Sequence, residues 1–138
     1  MKCAVVYFSR SGNTKKMAEA VADVLRVTPA DVTAPLEEKV DCLFIGSSIY
    51  AGGPDPAVGE YIKKNSANIG KLVLFGSSAS GKTSYKKVKE WADAAGVSLH
   101  DKSFYCPGYF LFMHKNRPDS KDLNDLREFT KSVSEELN

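Results

Sequence analysis

The sequence predicts a single α/β domain built on a doubly wound, five-stranded, mostly parallel sheet with helices on both faces. Three observations carry that prediction. Short apolar runs alternate with amphipathic segments along the chain. The runs are continuous rather than alternating, which is the pattern of strands buried on both faces. A length of 138 residues, 43% hydrophobic and 26% charged, supports one domain and not two.

Taken in order, CAVVYF (Cys3 to Phe8) reads as the first strand. Met17, Val21 and Leu25, flanked by Ala18 and Ala22, give a helical stripe after Thr14. ADVTA, around Asp31 to Ala34, is a weaker strand candidate. Between it and the next strand, CLFIG (Cys42 to Gly46), only PLEEK remains for a crossover. A parallel connection takes about a dozen residues or more, so the second helix is expected to shrink to a turn. The sheet face it leaves open would be covered by loops or by a dimer contact.

Ala57, Val58, Tyr61 and Ile62 mark the next helix, entered through Pro54 and Pro56. KLVLFG (Lys71 to Gly76) is the fourth strand. Tyr85, Val88, Trp91, Ala92 and Ala95 form a helix closed by Gly96. SFYC (Ser103 to Cys106) is a weaker last strand. Leu123, Leu126, Thr130, Val133 and Leu137 form the last helix, with Asp119 as N-cap and Asp122 three residues on.

Composition narrows the function. A formal charge of +2 argues for neither nucleic acid nor a membrane surface. No apolar stretch approaches membrane-spanning length, and MKCAVVYFSRSG is too short in its apolar part for a signal peptide. Cys3, Cys42 and Cys106 are odd in number and far apart in sequence, which suits a reduced, cytoplasmic protein. Monomer and homodimer both remain open.

In doubly wound sheets ligands bind beyond the carboxyl ends of the strands. Three loops leave those ends: SRSGNT (Ser9 to Thr14), SSIYAGGPDP (Ser47 to Pro56) and SSASGKTS (Ser77 to Ser84). All are rich in Ser and Gly and should converge on one edge. In the first, Ser9, Ser11 and Thr14 offer hydroxyls, Gly12 admits close backbone approach, and the helix start offers free N–H groups to an anion. The same residues would also serve a plain N-cap turn.

The third loop poses a rival. Gly76 to Thr83 match G-x-x-x-x-G-K-[ST], the phosphate loop of nucleotide hydrolases. That chemistry also needs a carboxylate at another strand end to hold Mg²⁺, and YFSR and FIGS offer none. On this reading Lys82 is a solvated residue in the first turn of a helix.

VYFSRSGNT fits V-x-[YF]-[ST]-x-[ST]-G-N-T and resembles the FMN-phosphate loop of flavodoxins. IGSSIYAGGPDPAV is similar to the flavin-ring loop of flavodoxin-like proteins, including relatives of the protoporphyrinogen oxidase type. The tail FYCPGYFLFMHKNRPDSKDL resembles the ending of many bacterial flavodoxin-domain proteins. The resemblance covers nearly the whole chain and implies the strand order 2-1-3-4-5. It implies FMN as cofactor, with Ser9, Arg10, Ser11, Gly12, Asn13 and Thr14 on its phosphate. Ser48, Ile49, Tyr50, Ala51 and Gly52 would line one side of the isoalloxazine. Ser77, Ser78, Ala79, Ser80 and Gly81 would line the other, without an aromatic among them.

The implied function is electron transfer to a redox partner protein or small acceptor. The alternative is an FMN-dependent oxidoreductase acting on a small acceptor such as a quinone or a protoporphyrinogen; no catalytic acid or base separates the two. Tyr50 is expected to stack on the flavin. Cys106 is expected at the end of the last strand, just before Pro107-Gly108 and near the cofactor edge, where a redox role is open. His100 and His114 have no metal-type spacing and are expected at the surface. The loops carry one carboxylate, Asp55, against Arg10, Lys15, Lys16, Lys82, Lys86 and Lys87.

Overall fold

The structure, a computed structural model, describes residues 1–10, 12–50, 53–78, 82–108 and 116–138. Its elements run β1 (Cys3–Phe8), α1 (Asn13–Leu25), β2 (Ala30–Asp31), β3 (Val40–Ser47), β4 (Ile49–Tyr50) and β5 (Gly53–Pro54). They continue with α2 (Pro56–Asn65), β6 (Ile69–Ser78), α3 (Tyr85–Ala95), β7 (Ser98–Pro107) and α4 (Ser120–Leu137).

Five strands form one sheet in the order β2-β1-β3-β6-β7, with every pairing parallel. Counting only these strands, the order is the expected 2-1-3-4-5. The chain is therefore wound in both directions from β1, and the switch point lies between β1 and β3.

Strand alternation splits the apolar residues into two cores. Val5, Phe44, Val73 and Phe75 face Met17, Val21, Leu126 and Val133 of α1 and α4. Val6, Leu43, Ile45, Leu72 and Leu74 face Val58, Ile62, Val88 and Ala92 of α2 and α3. Phe44, Phe75, Met17, Leu43 and Ile45 are wholly buried, so each face removes enough apolar surface to fix its helices.

The helix-end signals at Asp119 and Gly96 hold, and Asp55 adds a cap that the sequence reading did not name. Asp119 accepts from Asp122 N–H while Asp122 accepts from Asp119 N–H, a full capping box. Gly96 closes α3 in the left-handed region at φ 74°. Asp55 caps α2 by accepting from Ala57 N–H at 2.9 Å.

The second helix is indeed reduced: no helix lies between Asp31 and Val40. A loop covers that part of the sheet. Leu36 packs against the α2/α3 core, its N–H donating to Asn65 Oδ1 and its carbonyl accepting from Asn68 Nδ2.

Three expectations change. The second strand is two residues long, because Asp31 Oδ1 accepts from Thr33 N–H and its carbonyl from Ala34 N–H, which turns the chain. The last strand starts five residues earlier than Ser103, through a register irregularity opposite Leu72 and Leu74. His100, expected at the surface, is buried: Nδ1 accepts from Lys102 N–H at 3.0 Å and Nε2 lies 3.6 Å from Glu136. His114 lies outside the described residues.

Candidate functional site

The carboxyl ends of β1, β3 and β6 lie side by side, so the loops that follow them share one edge. A chain of buried hydroxyls ties them together. Thr14 Oγ1 of α1 hydrogen-bonds Ser48 Oγ, and Ser48 Oγ lies 3.0 Å from Ser77 Oγ. Ser77 N–H also donates to Ser48 Oγ at 3.0 Å. All three side chains are at most 4% exposed. Because buried hydroxyls without partners are costly, this chain fixes the spacing of the three loops.

The first loop presents backbone donors. Gly12 sits in the left-handed region at φ 90°, with open space where a Cβ would point, and its N–H donates to Ser9 Oγ at 2.9 Å. The helical ladder of α1 begins with Lys16 N–H to the Gly12 carbonyl. Helix geometry leaves the preceding amides, Asn13 to Lys15, pointing outward from the positive end of the helix dipole. The Thr14 side chain points the other way, into the sheet, where it would meet a Cβ on Gly46 at 2.7 Å. What Thr14 can offer a ligand is its N–H.

The second loop opens with a hairpin, β4 and β5, paired antiparallel through Ile49 with Pro54 and Tyr50 with Gly53. Sequence reasoning missed it, since two-residue strands leave no periodicity. Ser11, Ala51, Gly52, Ala79, Ser80 and Gly81 lie outside the described residues, as does the side chain of Tyr50 and hence its stacking.

A second cluster, also unforeseen, anchors the third loop. Ser84 Oγ donates to the Ser47 carbonyl at 3.1 Å, and Tyr105 OH donates to the same carbonyl and meets Ser84 Oγ. Burial pushes the Tyr105 phenol up to about 12, so it stays a donor across the physiological range. Gly76 makes room: a Cβ there would press on the Ser47 carbonyl oxygen and lie 2.9 Å from the Tyr105 ring. Ser47 Oγ, buried at the same strand end, has no partner among the described residues.

This geometry removes the context a nucleotide-phosphate loop needs. Gly76, Ser77 and Ser78 belong to β6, paired with Tyr105, Cys106 and Pro107. Helix α3 begins only at Tyr85, so Lys82 stands in the loop before the helix rather than in its first turn.

Charge at the edge is uneven. Arg10 Nη2 donates to Asp55 Oδ2 at 2.7 Å, which neutralises the one carboxylate of the loops. Ala57 N–H and then Arg10 hold the Asp55 carboxyl below the usual range. A cleft of about 270 Å³ opens between the hairpin and the third loop, bordered by Ile49, Pro54, Lys82, Lys86, Lys87 and Glu90. Cys106 lies within β7, as expected, and burial, reinforced by Asp122, pushes its thiol to about 12. A thiol held protonated is a poor nucleophile. Cys3 and Cys42, distant in sequence, are register partners on β1 and β3, both with free thiols.

Among the described residues no cluster of His, Cys, Asp or Glu is arranged to hold a metal, and no helix is long and apolar enough to cross a membrane. A sequence model of the flavodoxin domain matches residues 4–105. The chain belongs to the flavodoxin domain family.

No curated protein matches the chain in sequence. Among solved structures, a flavodoxin from the domain Archaea superposes with a TM-score of 0.74 at 21% identity, over 99% of both chains. Rubredoxin oxygen:oxidoreductase from Desulfovibrio gigas superposes at 0.76 and 21% identity, over 99% of this chain but 36% of that longer one. A flavoprotein in complex with FMN from Lactobacillus acidophilus gives 0.58 at 18% identity, over 75% of this chain and 91% of that one. These likenesses establish the flavodoxin fold.

The donor set suits the FMN of this family. A phosphate needs convergent N–H donors at a helix start, and α1 supplies them behind an open Gly12.

Proposed function

We propose that this chain binds FMN across the three loops and carries electrons between redox partners. The carrying observation is the buried hydroxyl chain Thr14–Ser48–Ser77, which holds the three strand-end loops of a flavodoxin-domain chain in one arrangement. The first loop, Ser9, Arg10, Ser11, Gly12, Asn13 and Thr14, takes the phosphate, mostly through backbone N–H groups. Ser48, Ile49, Tyr50, Ala51 and Gly52 flank the ring on one side. Ser77, Ser78, Ala79, Ser80 and Gly81 flank it on the other.

FMN, when bound, supplies reversible acceptance of electrons. The protein's part is to orient the ring, screen it from water on two sides and leave an edge open to a partner. Arg10 and Asp55 brace the phosphate loop against the start of α2. Three free thiols suit a reducing compartment, so we place the protein in the cytoplasm.

The visible absorption spectrum of the purified protein tests this reading, with the released chromophore identified. A flavin spectrum from FMN supports it. A colourless protein that takes up no added FMN contradicts it.

A further inference from the structure

We propose that the cleft between the hairpin and α3 is the docking face for an acidic redox protein. The proposal rests on the FMN reading for what happens there, and on charge and shape for the docking itself. The cleft is bordered by three lysines, Lys82, Lys86 and Lys87, and one carboxylate, Glu90. Three lysines and one carboxylate leave a local formal excess of +2 at the cleft.

Asp55, the nearby carboxylate of the second loop, is already committed to Arg10 at 2.7 Å. Lys86 is exposed and makes no ion pair among the described residues. Lys87 meets Glu90 only at 3.6 Å and leans over the Trp91 ring, 5.6 Å from its centroid. Lys89, on the same helix but outside the cleft, is instead closed onto Asp93 at 2.8 Å.

Ile49 and Pro54 supply an apolar wall beside the lysines. A small apolar wall next to charged side chains suits a transient protein interface. Its location also fits: Ile49 and Lys82, which border it, adjoin the two loops that flank the ring on the FMN reading. An acidic face steered onto it would approach the exposed edge of the flavin. One electron then passes to each one-electron acceptor that docks.

A charge-reversed pair of probes tests this. Native cytochrome c is basic; succinylation of its lysines makes it acidic around the same haem. Reduced, FMN-loaded protein should reduce the succinylated form roughly tenfold faster than the native form at low ionic strength, with the preference fading as salt is raised toward ~0.5 M. The Lys82, Lys86, Lys87→Gln variant should keep its FMN and lose most of that preference.

A calorimetric titration of the flavin-free protein with the two cytochromes runs the same comparison without any flavin. It keeps the docking claim testable if FMN is not bound. Preference for native cytochrome c at low salt, or a variant indistinguishable from wild type, overturns the proposal. So does variant-sensitive binding to anionic phospholipid vesicles without any preference between the cytochromes.

Discussion

Arg10 and Asp55, 45 residues apart, join the first loop to the start of α2: Arg10 Nη2 donates to one carboxylate oxygen at 2.7 Å while the other accepts from Ala57 N–H at 2.9 Å. One carboxylate thus caps a helix and braces a loop. Its pKa is depressed, with the Ala57 N–H as the first cause. The stabilisation is therefore present above the unfolded value of about 3.9 and is lost as pH falls through the lower folded value.

Asp55→Ala should cost about 1 kcal/mol at neutral pH, mainly from the lost cap. The Arg10 contact adds little because Arg10 is largely exposed. Urea denaturation at pH 7 and pH 3 checks this. The gap between wild type and variant should narrow at pH 3; an equal gap at both values would count against the assignment.

The hydroxyl chain makes a second prediction. Thr14→Val keeps shape and removes the hydroxyl that meets Ser48, leaving Ser48 with fewer partners. The expected loss is about 1–2 kcal/mol of stability. Since the chain sets the spacing of all three loops, FMN and riboflavin should weaken together. A fluorescence titration in which only FMN weakens would show that the Thr14 hydroxyl contacts the phosphate directly.

Two glycines should part company. Gly76→Ala drives a Cβ against the Ser47 carbonyl oxygen and to 2.9 Å from the Tyr105 ring, whereas Gly53→Ala meets nothing within 4 Å. Overpacking of this kind typically costs about 1–3 kcal/mol. Thermal melts should place Gly76→Ala clearly below wild type and Gly53→Ala close to it.

Much of this architecture was legible because the central strands are apolar without interruption. Val5, Val6, Phe44, Ile45, Val73 and Leu74 are buried on alternating faces, and unbroken runs have no other home in a domain this size. Caps at Asp119 and Gly96 were legible for the same local reason. The last strand was under-read because its first half mixes exposed Asp101 and Lys102 with buried Leu99 and His100. The site's framework was hidden altogether. Thr14, Ser48 and Ser77 are separated by 34 and 29 residues, and no local pattern announces a hydrogen bond of that span. Tyr105, Ser84 and Gly76 meet only through the register of β6 with β7.

The lysines bordering the cleft lead to a prediction about potential. Reduction adds negative charge to a bound flavin, and nearby cations favour the charged form, with salt limiting the effect of exposed ones. The Lys82, Lys86, Lys87→Gln variant should therefore have a more negative midpoint potential than wild type. An unmoved potential would mean that burial of the ring outweighs the lysines.

The most direct test of the account compares FMN with riboflavin, which differ only in the phosphate. If the first loop is a phosphate site, the protein stripped of any bound flavin should bind FMN more tightly by roughly tenfold or more, the worth of one or two hydrogen bonds to a charged group. Ser11→Ala should reduce that preference while leaving riboflavin affinity unchanged. Equal affinity for the two flavins, or no uptake of either, would contradict it.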